Sequence, residues 1–243
     1  MRDDADRLLP PEPVRSLDAH LASGGGAGLS RALELDRDAV IDEIDRAGLR
    51  GRGGAGFPTA RKWRGVLETA ASAGGRLSLV ANAAEGEPGT YKDRVLIEQQ
   101  PYAFLEGVCI ALQTTGAESA HIGIKAKFTR PVERLQTALD EIRAAGWPGA
   151  ERIQLVLGPD AYLFGEETGM LEVVEGKLPM PRIARPYEEG LNATTMAPNP
   201  TIVNNVETLT HVAAILANGA DWFREAGTET SPGTMVFTVV GDV

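Results

Sequence analysis

Apolar positions along the 243-residue chain change their period several times. Over residues 36–47, Val40, Ile41 and Ile44 recur at helical spacing, and Gly48 follows as a stop signal. A second helix opens at Pro58 and Thr59 and places Trp63, Val66, Leu67 and Ala70 on one face. The period then shortens. Residues 77–81, 121–124 and 153–157 are brief apolar runs that predict buried strands. Helical patterns over 101–115, 131–145 and 166–175 separate and follow them, with Pro131 at a first helical turn. This β-α-β-α-β alternation predicts an α/β fold whose parallel sheet is flanked by helices and preceded by a helical and glycine-loop N-terminal segment.

The remaining stretches are read from their punctuation. Residues 1–15, rich in Pro and charge, predict a disordered tail, and residues 23–28 a Gly/Ser turn. Residues 178–200 form a Pro-rich connection too long for a simple turn. A further helix is expected over 204–218, with Val206, Leu209, Ala213 and Leu216 facing inward. Residues 235–240 read as a strand with no partner after it in the sequence, which either docks back on this domain or, as the favoured reading, opens a further one.

Composition narrows the function classes. A net charge of −10 argues against a nucleic-acid partner. No apolar run approaches the ~20 residues that cross a bilayer, and the acidic N-terminus lacks a signal-peptide pattern, so direct membrane insertion is not expected and a cytoplasmic location is. Cys109 is the only cysteine, which leaves no internal disulfide and too few thiolates for an iron–sulfur or Cys-type zinc site; its apolar helical setting predicts a buried structural thiol. His20, His121 and His211 lie at no metal-ligand spacing, and no metal site is expected.

The chemistry concentrates in residues 48–63, G-L-R-G-R-G-G-A-G-F-P-T-A-R-K-W. Its five glycines let backbone N–H groups approach a flat or anionic ligand, and Arg50, Arg52, Arg61 and Lys62 supply positive charge. Residues 51–56 match G-x-G-x-x-G, but a helix rather than a strand precedes them, so they do not read as a dinucleotide fingerprint. No Gly-Lys-Ser/Thr follows, which removes a Walker A reading.

In open parallel sheets ligands sit beyond the carboxyl ends of the strands. Two loops rich in acids, glycine and tyrosine fall there: one after the first strand with Asn82, Glu85, Glu87 and Tyr91, and one after the third with Tyr162, Gly165, Glu166 and Glu167. Carboxylates accept hydrogen bonds from ribose or ribityl hydroxyls and disfavour a 2′-phosphate, which selects NADH over NADPH. Asn204 and Asn205 at a helix start offer amide donors and free backbone N–H groups, a phosphate seat. The residues alone thus suggest a site for two nucleotide-like ligands, one of which can be a flavin.

Taken together, the segments G-L-R-G-R-G-G-A-G-F-P-T-A-R-K-W, E-G-E-P-G-T-Y-K-D-R, Y-L-F-G-E-E-T and P-T-I-V-N-N-V-E-T make the chain, from about Ser16 onward, resemble the NADH-oxidising flavoprotein subunits of respiratory complex I. Related flavin subunits serve NAD-linked hydrogenases and formate dehydrogenases. The resemblance implies non-covalent FMN in a Rossmann-like domain over residues 16–230, with NADH stacked on the flavin and hydride passing between them. By motif position it assigns Gly51, Gly53, Lys62, Asn82, Glu85, Tyr162, Gly165, Glu166, Asn204 and Asn205 to FMN. It assigns Gly54, Ala55, Gly56 and Phe57 to NADH, with Arg52 in the same loop, and places Glu87 near the nicotinamide as the catalytic-side acid and Glu167 near the adenosine ribose. Tyr187 is the expected stacking residue of the family's K-P-P-F segment, present here as Ala184-Arg185-Pro186-Tyr187.

The resemblance further implies iron–sulfur partner subunits, an acceptor such as a quinone, and peripheral attachment to the inner face of a membrane through a complex. In the family a ubiquitin-like domain and a 4Fe–4S domain follow; residues 231–243 are expected to open the first, and the ligands of the second are absent from this sequence. Ala84 stands where complex I carries aspartate, and Gly65 where it often carries an aromatic residue, which points to a divergent branch serving an accessory dehydrogenase. A redox-inactive nucleotide-binding or assembly module, and an unstable gene fragment, are the competing readings.

Overall fold

The computed structural model of the chain describes residues 7–194 and 197–241. Its N-terminal part is helical. α1 (Leu17–Ala22), whose N–H at Ala19 donates to the Ser16 hydroxyl (3.2 Å), and α2 (Ala27–Glu34) flank the glycine turn. The apolar pattern marks neither helix, because each is short and bordered by glycine. Glu106 anchors them: its buried carboxylate accepts the N–H groups of Gly26 (3.0 Å) and Leu29 (2.9 Å) and lies 3.1 Å from His20 Nε2.

The tail is corrected in part. Residues 1–6 lie outside the described residues, but from Arg7 onward the chain packs on the body. Leu8 is buried, Val14 N donates to Gln99 O (2.8 Å), and the Arg7 guanidinium sits 4.6 Å over the Trp222 ring. Two apolar anchors and a cation–aromatic contact outweigh the charged composition.

α3 (Arg37–Ala47) starts at the Asp36 cap, whose carboxylate accepts Ala39 N (2.8 Å), and stops at Gly48 with φ 72°. α4 (Thr59–Ser72) follows the glycine loop. β1 (Ser78–Ala83), α5 (Lys92–Gln99), α6 (Pro101–Thr115), β2 (Ser119–Lys125), α7 (Thr129–Ala144), β3 (Ile153–Gly158) and α8 (Glu167–Val174) then alternate as expected, apart from α5, which falls where the sequence pattern places loop.

The main addition is β4 (Thr201–Asn205), which runs directly into α9 (Val206–Asn218) and is followed by α10 (Ala220–Arg224). All strands are parallel, in the order β3-β2-β1-β4. Successive connections move outward from β1 through β2 to β3, and the chain then returns to β1's other side. The strand order therefore reverses beside β1, and a crevice opens between the carboxyl ends of β1 and β4. There Asn82 pairs in register with Asn205.

Alternate residues of the central strands feed two cores, as a doubly covered sheet requires. Leu79, Ala81 and Ala83 of β1 and Ile202 of β4 join the large helical core on one face. Val80, Ala84 and Val203 join a smaller cluster with Phe164, Met170, Leu171 and Leu191 on the other. Glycines permit the closest helix contact: a Cβ at Gly107 of α6 would stand 1.9 Å from Leu209 O of α9.

Residues 235–240 pair with no strand among the described residues. The segment instead crosses the surface as a strap: Val236 N donates to Glu207 Oε1 (2.9 Å), and Tyr91 N donates to Thr238 Oγ1 (2.9 Å). Met235, Phe237 and Val239 face outward, so the alternation is that of an extended segment without a ladder.

Candidate functional site

A cleft of about 340 Å³ occupies the crevice between β1 and β4, within the size range of small-molecule sites. It draws on the glycine loop, the loops after β1 and β3, and the junction of β4 with α9. Of the residues singled out in the sequence, Gly51, Gly53, Ala55, Gly56, Phe57, Lys62, Asn82, Glu85, Glu87, Tyr162, Gly165, Glu166, Glu167, Asn204 and Asn205 line it.

The glycine loop is closed at its neck by Gly51 N donating to Phe57 O (2.9 Å) and fastened to α9 by Arg52 N donating to Thr208 Oγ1 (2.8 Å). Among the described residues, the N–H groups of Gly53, Gly54, Ala55, Gly56 and Phe57 find no acceptor. Gly54 (φ 116°) and Gly56 (φ 64°) take the left-handed backbone that exposes them. Successive free amides of this kind make a concavity for an anion or a carbonyl.

At the cleft floor, Trp63 Nε1 donates to Asn204 Oδ1 (2.8 Å). The indole can only donate, so the amide orientation is fixed and Asn204 Nδ2 is left for the cleft. Asn82 Nδ2 donates to Gly165 O (2.7 Å), tying β1's end to the loop after β3. Lys62 Nζ binds Glu167 Oε1 (2.7 Å) and Val203 O (3.0 Å). At the rim the Tyr162 hydroxyl donates to Glu87 Oε1 (2.6 Å), and that bond raises the phenol above its ordinary range.

Several expected contacts are otherwise engaged. Glu85, at φ 37°, turns its carboxylate inward to accept Asp93 N (2.8 Å) and Arg94 Nε (2.6 Å), so it caps α5. Glu166 caps α8 through Thr168 N (2.9 Å) and Gly169 N (2.7 Å). Both meet the cleft beside a committed carboxylate. Arg52 points away from it: its guanidinium donates to Thr234 O (3.0 Å), and burial lowers its pKa against the raising effect of Glu207. Gly54 and Tyr187 do not line the cleft, Tyr187 lying exposed on the connection toward β4. Ala84 is fully buried in the smaller apolar cluster below the floor.

Sequence reasoning alone misses the charged layer behind the cleft. Asp93, a lining residue, is buried; burial, opposed by Lys92, lifts its carboxyl to about 6. Lys92 Nζ contacts Asp93 Oδ1 (2.7 Å) and Glu207 Oε2 (3.2 Å), and Asn205 Nδ2 donates to Asp93 Oδ2 (2.8 Å). The K-D pair is visible in the sequence, but only α5 and β4 bring it to Asn205.

Comparisons with known proteins supply relatives over most of the chain. The chain is 38% identical over 238 residues to the second F-type NADH-quinone oxidoreductase subunit of Rhizobium meliloti (strain 1021), covering 93% of this chain and 55% of that protein. It is 37% identical over 244 residues to NADP-reducing hydrogenase subunit HndC of Solidesulfovibrio fructosivorans, covering 97% and 48%. The chain spans about half the length of the curated relatives it matches. A crystal structure of NAD+-reducing NiFe hydrogenase in the H2-reduced state superposes with a TM-score of 0.76 at 39% identity, over 93% of this chain and 36% of that one. The profile described as the Nuo51 FMN-binding domain matches residues 44–214, and the chain belongs to that family.

Proposed function

We propose that the cleft binds FMN and NADH side by side and that the chain is the NADH-oxidising flavin module of a larger dehydrogenase. The observation that carries this reading is the set of uncommitted donors, the N–H groups of Gly53, Ala55, Gly56 and Phe57 together with Asn204 Nδ2, around a crevice at the reversal of strand order. The donors fit a flavin mononucleotide. A Cβ at Gly53 would crowd Asn205 at 3.3 Å and one at Gly86 would crowd Tyr162 O at 3.1 Å, so both glycines let the loops around the cleft pack closely.

In this reading Gly51, Gly53, Lys62, Asn82, Gly165, Asn204 and the opening of α9 hold FMN, and Gly54, Ala55, Gly56 and Phe57 form the NADH side. Bound FMN supplies a two-electron acceptor for the hydride of NADH. The chain's part is positional. Phe57, exposed at the rim with Arg61 5.7 Å from its ring, is a stacking surface for adenine. Glu167 accepts from the ribose hydroxyls while Lys62 steadies it, and Glu87, oriented by Tyr162, accepts from the nicotinamide amide.

Residues 16–230 form the flavin unit, and residues 231–243 lead into a ubiquitin-like domain. Cys109 is buried, its thiol pushed up to about 12 by burial, and it serves the core. In this reading onward electron transfer to a quinone or other acceptor runs through iron–sulfur partners outside these residues. Attachment to a membrane is peripheral, through those partners; no helix among the described residues is long and apolar enough to cross one.

Purified protein is expected to take up FMN, to bleach on NADH addition and to reduce ferricyanide in the same solution. Protein that binds NADH calorimetrically yet takes up no FMN overturns this reading in favour of a redox-inactive module.

A further inference from the structure

Lys92 is absent from the lining of the cleft, yet its ammonium makes three contacts that all bear on it. Nζ lies 2.7 Å from Asp93 Oδ1, 3.1 Å from Asn205 Oδ1 and 3.2 Å from Glu207 Oε2. Two of its N–H groups donate, to Asp93 Oδ1 and Asn205 Oδ1, the Glu207 contact is an ion pair, and the side chain is largely buried.

Those contacts determine what Asn205 can do. Its Oδ1 accepts from Lys92 and from Glu207 N (3.0 Å), and its Nδ2 donates to Asp93. The amide oxygen and one of its two N–H groups are thus committed to the cap of α9, and one N–H remains where Asn205 lines the cleft. The junction also presents to a ligand the backbone at the α9 N-terminus, where the helix favours an anion. Directly behind it stand two buried carboxylates, Asp93 and Glu207. The other charged or titratable groups around them are Arg52, Glu85, Arg94 and His211. Glu85 is matched by Arg94, and burial lowers the His211 pKa, leaving Lys92 and Arg52 to offset Asp93 and Glu207.

We propose that Lys92 is a positioning residue for the phosphate end of the flavin. It fixes the Asn205 cap and cancels the carboxylate charge behind it, so that the start of α9 accepts an anion. This rests on the flavin reading above. Lys92 touches no ligand atom in this scheme; it acts through Asn205 and through the local field. Without it, Asp93 and Glu207 would face the phosphate opposed only by Arg52, and Asn205 Oδ1 would lose one of its two donors, keeping Glu207 N.

Riboflavin shares the ring and ribityl chain of FMN and lacks the phosphate, so the pair of ligands isolates the effect. Binding of each to the whole chain is followed by quenching of flavin fluorescence, for the wild type, K92M and K92R. K92M is expected to weaken FMN binding about tenfold, the scale of a partly buried helix-end charge effect. Riboflavin binding is expected to stay within about twofold, and K92R to restore most of the FMN preference. A loss of equal size for both ligands, or no loss for either, overturns the role of Lys92. A wild type that binds neither flavin overturns the flavin reading itself, which separates the two failures. If K92M does not fold, K92M/E207Q removes one charge of each sign: an FMN preference recovered toward wild type supports the proposal, and an absent preference in that folded variant overturns it.

Discussion

Lys62 Nζ stands 2.7 Å from Glu167 Oε1 and joins α4 to α8 across the mouth of the cleft. The pair is partly exposed, and such pairs contribute at most about 1 kcal/mol to stability. Its consequence is for the ligand. E167Q is expected to leave thermal unfolding nearly unchanged while lowering the NADH-over-NADPH ratio of kcat/KM several-fold. The carboxylate that repels a 2′-phosphate is gone, and Lys62 is released toward it. An unchanged ratio would remove Glu167 from the ribose side.

The Tyr162–Glu87 bond is a second bridge, between the loops after β3 and β1. Y162F deletes one exposed hydroxyl and is expected to cost little stability. It leaves Glu87 without its orienting donor, so KM for NADH should rise while bound flavin is retained. Loss of flavin with unchanged KM among the remaining holoprotein would show that Tyr162 serves FMN instead.

Glu85 and Glu166 separate capping from ligand contact. E166A removes the acceptor for Thr168 N and Gly169 N and should destabilise the protein by about 1 kcal/mol, up to about 2. E166Q keeps a carbonyl acceptor at the cap. It is expected to stay close to wild type in both melting temperature and FMN affinity. Flavin loss in E166Q at unchanged stability would restore the direct contact suggested by the motif.

These cases show what is legible in the chain. Helices with sharp punctuation can be read nearly to the residue: Asp36 and Gly48 bracket α3, and Pro101 opens α6, which Gly116 closes in the left-handed conformation. β4 is hidden because Thr201-Ile-Val-Asn-Asn205 passes into α9 without a turn, so the two asparagines look like the helix start alone. The motifs name most of the cleft lining. They do not give the direction of each carboxylate, because Glu85 and Glu166 look alike as ligand acids and as helix caps. Lys92 and Asp93 gain meaning only when α5 is set against the β4–α9 junction, a tertiary placement that no local pattern encodes.

Asp93 offers the sharpest test of that hidden layer. Burial raises its carboxyl from 3.8 to about 6 in the folded protein, with Lys92 and the Asn205 amide opposing the shift and Glu85 adding to it. A raised folded-state pKa means that the folded protein holds the proton more tightly than the unfolded chain. The contribution to stability is therefore fully present below about pH 4 and is lost as pH rises through 6. A shift of that size corresponds to roughly 3 kcal/mol. D93N cannot titrate there, and its lost acceptor adds an offset that does not vary with pH. Glu207, Glu175 and Asp160, whose pKa values are lowered, act in the opposite direction and are common to both proteins. The wild-type unfolding free energy minus that of D93N should thus fall by about 2 kcal/mol between pH 4 and 6.5 and flatten above. Denaturant unfolding at half-unit pH steps reads this difference directly. A difference that is constant across the range would mean that Asp93 is ionised throughout, held by Lys92 more strongly than burial opposes it.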